Sequence, residues 1–250
     1  MKPVISEVTL FVQCMVDAMA PDAAMGMVRL FDRLGIRTCF PQDQTCCGQP
    51  AFNAGYRTAA RRSARHFIRV FESAECIVCP SGSCTAMVRH HYPELFEGDK
   101  EWQRRAEAVG AKVYELTEFL VDVLKVTDVG AVYHGTVTYH DSCHLLRTLG
   151  IGRQPRALLS GIKGLTFKEM APSDRCCGFG GTFAVKYPDI STALVADKAA
   201  RILETGADTV VGCDLGCLLN IEGYLNRMGH RIKVRHIAEL LVSENEREPS

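Results

Sequence analysis

The chain has 250 residues, of which 47% are hydrophobic and 23% charged, and its 29 basic side chains balance 29 acidic ones. This composition is typical of a globular protein with one large domain or two small ones, and the balanced charge excludes strong attraction to nucleic acid or anionic lipid. No apolar run approaches the roughly 18–20 residues of a membrane-spanning helix. The run Val8–Val12 lacks the features of a signal peptide, so we expect a soluble, cytoplasmic protein.

The first half of the sequence alternates short apolar strands with amphipathic helices. Strands are predicted at Val8–Val12, Ile36–Phe40, Ile77–Val78 and Lys112–Tyr114. Helices are predicted at Asp22–Leu34, over Ala60–Phe71, after Cys84, and on both sides of the last strand within Gly98–Leu124. Pro21 and Gly35 suit the two ends of the first helix.

The second half repeats this order. Its strands are predicted at Val137–Tyr139, Leu165–Phe167, Thr209–Val211 and Ile232–Val234. Its helices are predicted at Pro155–Ser160, Val195–Leu203, Leu218–Tyr224 and Ile237–Val242, followed by a charged, frayed tail at Glu244–Ser250. The pattern predicts an α/β fold of two tandem cysteine-rich repeats, each a small parallel sheet flanked by helices. We place the two domains at residues 1–127 and 128–250, with the boundary near Thr127–Gly135.

Twelve cysteines in a reducing compartment favour metal binding or redox chemistry over disulfides. Eight of them recur with matching spacing: Cys14, Cys46, Cys47 and Cys84, then Cys143, Cys176, Cys177 and Cys217. The single cysteine and the vicinal pair are separated by 31 residues in the first half and 32 in the second. Because sites collect at the carboxyl ends of parallel strands, each half is predicted to gather four thiolates at one sheet edge.

Four thiolates are the donor set of an iron–sulfur cluster or of zinc. The vicinal pairs favour a cluster, whose separate irons can each take one sulfur, whereas structural zinc sites usually use Cys-x-x-Cys pairs. Cys79 and Cys213 flank the sites without matching the recurring spacing and are further candidate ligands. We expect Cys39 and Cys76 to be buried as small hydrophobes, and His140 and His144 to lie around the second site.

The doubled pattern Cys-x31–32-Cys-Cys-Gly … Cys resembles the cysteine-rich CCG domain, which occurs in one of the subunits of heterodisulfide reductase and in the iron–sulfur subunit of glycolate oxidase. More narrowly, Tyr139–His144, Cys176–Asp189 and Gly212–Asn220 resemble the lactate utilization protein A family. The resemblance implies an iron–sulfur electron-transfer subunit of a multi-component oxidoreductase that oxidises L-lactate to pyruvate. Its implied partners are a ferredoxin-like iron–sulfur protein and a third component.

The sequence departs from the wider family motif, which ends in Cys-x-x-Cys. Ser81 and Asp214 stand where the first of those two cysteines would be. Four cysteines per half favour one [4Fe–4S] cluster in each, and the missing fifth cysteine counts against the alternative, a thiol–disulfide reductase subunit. A second alternative is a non-enzymatic protein in which zinc or buried thiols are structural.

Overall fold

The computed structural model of the chain describes residues 5–244, and the tail residues 245–250 predicted to be frayed lie outside that range. It contains two four-stranded sheets, with strand orders β2-β1-β3-β4 and β6-β5-β7-β8, and every strand pair is parallel. Helices flank both sheets, so the predicted α/β class with two tandem sheets is confirmed. Within residues 5–244, no helix is both long and apolar enough to cross a bilayer.

The first half supplies the first sheet. Its strands are β1 (Glu7–Leu10), β2 (Arg37–Cys39), β3 (Ile77–Cys79) and β4 (Val113–Glu115). Its α-helices are α1 (Cys14–Met19), α2 (Pro21–Arg33), α3 (Gln49–Asn53), α4 (Arg57–Phe71), α5 (Gly82–Ala86), α6 (Tyr92–Leu95), α7 (Lys100–Gly110) and α8 (Leu116–Glu118). Two π-helical segments cover Met87–His91 and Phe119–Leu124.

The second half supplies the second sheet. Its strands are β5 (Val132–Tyr139), β6 (Lys163–Phe167), β7 (Thr209–Gly212) and β8 (Lys233–His236). Its α-helices are α9 (Arg153–Ser160), α10 (Phe183–Lys186), α11 (Pro188–Glu204), α12 (Leu215–Arg227) and α13 (Ile237–Leu240). A third π-helical segment covers His144–Thr148.

Strand register shows which positions of the two halves correspond. In the first sheet Leu10 pairs with Val78, and in the second Tyr139 pairs with Val211. The next backbone N–H in each half, that of Phe11 or His140, donates to the carbonyl of the paired valine. Phe11 and His140 therefore occupy the same position in the two repeats.

The two halves share one hydrophobic core. Its buried members include Leu10 and Val78 from the first sheet and Tyr139 and Val211 from the second. Helix α2 packs so closely on α13 that a Cβ at Gly26 would lie 2.7 Å from the carbonyl oxygen of Ala238. Each fully buried aliphatic side chain contributes about 1.5–3 kcal/mol, so this joint core holds the halves together. Separate clusters cover the outer face of each sheet.

Several local predictions differ from the structure. Helix α1, which begins at Cys14, was not predicted, nor were the short helices α3 and α10 after the cysteine pairs, because each spans at most six residues. Cys39, predicted to be buried, is exposed, because β2 is an edge strand with an exposed–intermediate–exposed pattern. Cys76 is buried as expected. Strand β5 begins at Val132, inside the interval predicted for the domain boundary.

Candidate metal centres

The four recurring cysteines of the first half (Cys14, Cys46, Cys47 and Cys84, the first thiol set) lie together at the carboxyl end of the first sheet. The Sγ atoms of Cys47 and Cys84 are 3.4 Å apart. Cys46 is within hydrogen-bonding range of both Cys14 and Cys47. Cys47 and Cys84 are buried, Cys46 is half-buried and Cys14 is exposed. The set therefore runs from the protein interior to the surface.

Protons are shared unevenly in the first thiol set. Hydrogen bonds from Cys14 and Cys47 lower the pKa of Cys46, whereas the bond to Cys46 raises the pKa of Cys14. A hydrogen bond from Cys47 likewise lowers the pKa of Cys84 to about 5. Neighbouring thiolates repel one another, so without a cation the set ionises only in part. A metal centre would replace the remaining protons.

The second thiol set (Cys143, Cys176, Cys177 and Cys217) lies at the corresponding place in the second half. Cys177 lies within hydrogen-bonding range of Cys176 and Cys217. Burial and the neighbouring Cys176 raise the pKa of Cys143. Cys177 is buried and Cys176 is exposed, so this set also reaches from the interior to solvent. All eight predicted positions are thus brought together as two groups of four.

A glycine follows each cysteine pair because the backbone turns there with positive φ. Gly48 and Gly178 have φ values of 84° and 80°, which cost a side-chain-bearing residue about 1 kcal/mol or more. A Cβ at Gly178 would also lie 2.4 Å from the Ser191 carbonyl oxygen. The turn directs the N–H of Gly178 at Cys176 Sγ, 3.3 Å away, and that of Gly48 at Cys46 Sγ, 3.4 Å away. These donors stabilise thiolate charge.

The further candidate ligands Cys79 and Cys213 have different surroundings. Cys79 lies within hydrogen-bonding range of Cys84 and so adds a fifth sulfur to the first thiol set. Cys213 contacts the Tyr139 hydroxyl at 3.1 Å and the buried carboxyl of Glu115 instead. Burial raises the pKa of that Glu115 carboxyl to about 7. Cys213 therefore belongs to the shared core between the sheets, not to the second thiol set.

Ser81 and Asp214, the two departures from the Cys-x-x-Cys pattern, contact each other across the halves. Asp214 accepts a hydrogen bond of 2.7 Å from the Ser81 hydroxyl and one of 3.0 Å from the backbone N–H of Ser83. Its other oxygen accepts a short bond from the Ser142 hydroxyl. Both carboxylate oxygens thus have protein donors, and the sequence offered no signal for this pairing.

The Asp214 carboxylate also lies between the two thiol sets. Its negative charge acts against ionisation of Cys84 in the first set and of Cys143 and Cys217 in the second. The two candidate centres therefore face a common buried charge at the interface of the halves.

His140 is completely buried beside the second thiol set. One ring nitrogen and the sulfurs of Cys177 and Cys217 lie within 4.8 Å of one another. Burial, followed by the nearby Lys198, lowers the pKa of His140 to about 3. Lys198 is itself fully buried in α11 and was not predicted as a site residue. Its place on the apolar face of that helix, between Val195 and Ile202, is the sequence feature that could have indicated a buried lysine.

These donors fit an iron–sulfur cluster or zinc. Each half offers at least four sulfurs, backbone N–H groups directed at them, and an open edge at one exposed cysteine. Soft thiolate donors select such metals over magnesium or calcium. The carbonyls of the inner cysteines are held as well, that of Cys47 by the Tyr92 hydroxyl at 2.8 Å and that of Cys177 by the Asn220 amide at 2.7 Å. The pairs are therefore fixed in position without a ligand.

Comparison with known families identifies this cysteine pattern. A family model described as CCG, a cysteine-rich domain, matches residues 8–89 and again residues 137–222. A protein of Bacillus cytotoxicus named lactate utilization protein A is 51% identical over 96% of this chain and the whole of its own length. The protein of that name from Bacillus cereus is 50% identical over the same shares.

The fold also occurs in a solved structure. A hypothetical protein from Helicobacter pylori superimposes with a TM-score of 0.65 over 96% of this chain, at 10% sequence identity. The chain spans 50% of that structure's length. At this identity the likeness concerns the fold alone.

Proposed function

Because the chain belongs to the CCG cysteine-rich family and, within it, to the lactate utilization protein A family, we propose that it is an iron–sulfur electron-transfer subunit. In this proposal it acts in a multi-component oxidoreductase that converts L-lactate to pyruvate. The observation that carries the proposal is the pairing of two four-thiol sets, each open to solvent at one cysteine. The family name supports a role in lactate utilization, and the thiol sets support the cofactor.

Cysteines of the first and second thiol sets would each hold one [4Fe–4S] cluster. A bound cluster supplies one-electron redox chemistry, whereas oxidation of lactate releases two electrons. The two sets, joined through Asp214, would provide two sites for that pair of electrons. The exposed Cys14 and Cys176 mark the edges where electrons would pass to the ferredoxin-like partner and the third component.

Metal analysis tests the cofactor. After anaerobic purification we expect about eight irons and eight sulfides per chain, the content of two [4Fe–4S] clusters. The double variant Cys176→Ser/Cys177→Ser should retain half of both. Cys39→Ser is the matched control, because Cys39 is exposed on β2 outside both sets. Full iron and sulfide content in the double variant would contradict the assignment.

Lactate-dependent dye reduction tests the reaction. Extract from cells lacking this chain is supplemented with the anaerobically purified protein, and reduction of the dye is followed with and without L-lactate. We expect the wild-type protein to restore the activity and Cys176→Ser/Cys177→Ser to fail. Clusters that form normally in a protein that never supports lactate oxidation would refute the substrate and leave the cofactor in place.

The competing proposal is a structural zinc site in the second half. A nitrogen of His140 and the sulfurs of Cys177 and Cys217 lie close enough together to bind a single ion. A structural zinc site would give stoichiometric zinc without sulfide. The same analysis therefore separates the two candidates.

A further inference from the structure

The two thiol sets rest on different supports. Phe11 follows β1 and packs edge-on against Phe67 of α4, with ring centroids 4.8 Å apart. The second half has His140 at the position of Phe11, as the strand register shows. Gly48 faces Ala60 and Ser63 of α4, and Gly178 faces Ser191 and Leu194 of α11. The two helices therefore correspond with a constant offset in residue number. The same offset places Lys198 at the position of Phe67. An aromatic pair thus corresponds to a buried histidine and lysine.

No residue within 5–244 forms a hydrogen bond with the His140 ring, although both of its nitrogens are buried. The side chain is 1% exposed, so solvent does not satisfy it. An unpaired buried polar group costs about 1–3 kcal/mol, and phenylalanine avoids that cost in the other half. One nitrogen lies beside Cys177 and Cys217, which indicates that its partner belongs to the centre these thiols hold.

Lys198 adds a buried positive charge at the same place. Its Nζ donates to the Ser173 carbonyl at 2.8 Å and lies 3.6 Å from the sulfur of Met170. Neither partner is negatively charged, so these contacts leave the ammonium without a direct counterion. Burial lowers the pKa of Lys198, and the sulfurs of Cys177 and Cys217 and the carboxylates of Asp141 and Asp174 act in the opposite direction. A thiolate-bound centre would add its negative charge to that of these two carboxylates.

We propose that His140 belongs to the second metal centre, where one of its ring nitrogens contacts the bound cluster. Lys198 supplies positive charge that opposes the negative charge of that centre. The inference rests on the proposed metal-binding function. The first centre has five sulfurs and an apolar support, and the second has four sulfurs and a nitrogen beside a cation. Positive charge and hydrogen-bond donors stabilise the reduced state of a cluster. The second centre therefore has the higher reduction potential and receives the electron first.

Redox titration of the reconstituted chain tests the assignment. Wild type, His140→Phe and Lys198→Met are rebuilt anaerobically with ferrous iron and sulfide and followed by electron paramagnetic resonance. We expect two transitions in wild type, of which the higher moves to lower potential in both variants. The lower transition, from the first centre, serves as the internal control. His140→Gln retains an N–H donor and should recover part of the shift. An unmoved higher transition in His140→Phe overturns the inference.

Nitrogen coupling separates contact from a merely structural role. In protein labelled with ¹⁵N at histidine, pulsed resonance of the reduced second centre should show a coupled nitrogen that disappears in His140→Phe. His144 is the competing source, because its Nδ1 lies 3.6 Å from Cys143 Sγ. Coupling that survives in His140→Phe and disappears in His144→Phe assigns the contact to His144 and overturns the inference.

Failure of an iron–sulfur cluster to assemble would refute the proposed function but not the role of His140. Cobalt binding tests that role in this case. In the Cys46→Ser/Cys47→Ser background only the second thiol set remains complete. Adding His140→Phe should weaken Co²⁺ binding at least about tenfold, as loss of a metal-site support does, and should remove a nitrogen ligand-field contribution from the visible spectrum. Equal affinity and equal spectra would overturn the assignment of His140.

Discussion

Truncation of Asp214 should loosen the junction between the halves. Asp214→Ala leaves the Ser81 hydroxyl, the Ser83 N–H and the Ser142 hydroxyl without their acceptor. Hydrogen bonds to a charged group contribute about 1.5–3 kcal/mol each. Removing the carboxylate also removes the desolvation cost of burying its charge, which offsets part of this loss. We therefore expect the free energy of unfolding to fall by about 4 kcal/mol. Urea denaturation of the reduced, metal-free chain, followed by circular dichroism, measures it.

A double-mutant cycle isolates the bond across the halves. Ser81→Ala alone should cost about 1–2 kcal/mol, and its effect should nearly vanish in the Asp214→Ala background, because the acceptor is already gone. The coupling energy between the two sites should therefore exceed about 1 kcal/mol. Strictly additive effects, or a loss below about 1 kcal/mol for Asp214→Ala, would show that the buried carboxylate does not join the halves and would refute the reasoning.

Three further predictions use the same denaturation assay. Arg156→Met should cost about 3–5 kcal/mol, because Arg156 donates two hydrogen bonds, of 2.7 and 3.0 Å, to the buried carboxylate of Asp141; a change under about 1 kcal/mol would contradict it. Glu115 has its pKa raised to about 7 by burial, so the unfolded chain ionises first and the free energy of unfolding falls as pH rises from about 4.5 to 7. Glu115→Gln should flatten that slope, and an unchanged slope would assign it to other groups. Gly26→Ala should destabilise the chain by about 1–3 kcal/mol, because the added Cβ clashes with α13. The control Gly223→Ala, in a helix with open space at the added Cβ, should stabilise the chain by about 0.5–1 kcal/mol. Equal effects of the two substitutions would refute the close packing of α2 on α13.

The strands and the repeat could be predicted from the sequence, because the patterns that indicate them are local. Short β-branched and apolar runs such as Ile77–Cys79 and Thr209–Gly212 can be recognised without knowing their neighbours. Cysteine spacing then predicted which thiols meet, since parallel strands end at one edge of a sheet. The structure brings all eight together, and their role as cluster ligands stays a prediction.

Features of the site that depend on packing were not available from the order of residues. Ser81 and Asp214 are 133 positions apart, and their contact exists only because the halves share a core. Cys79 and Cys213 look alike beside their strands, yet one faces the first thiol set and the other faces Glu115 in the shared core.

The sequence by itself determined the α/β repeat and its two cysteine sets, because both follow from local periodicity and from the direction of parallel strands. Only the tertiary structure decided what surrounds each set. Strand register and helix packing place Phe11 and Phe67 in one half and His140 and Lys198 in the other at corresponding positions. Burial determines whether such a residue is a solvated surface group or an unpaired group beside a metal centre, and burial is a property of the folded chain.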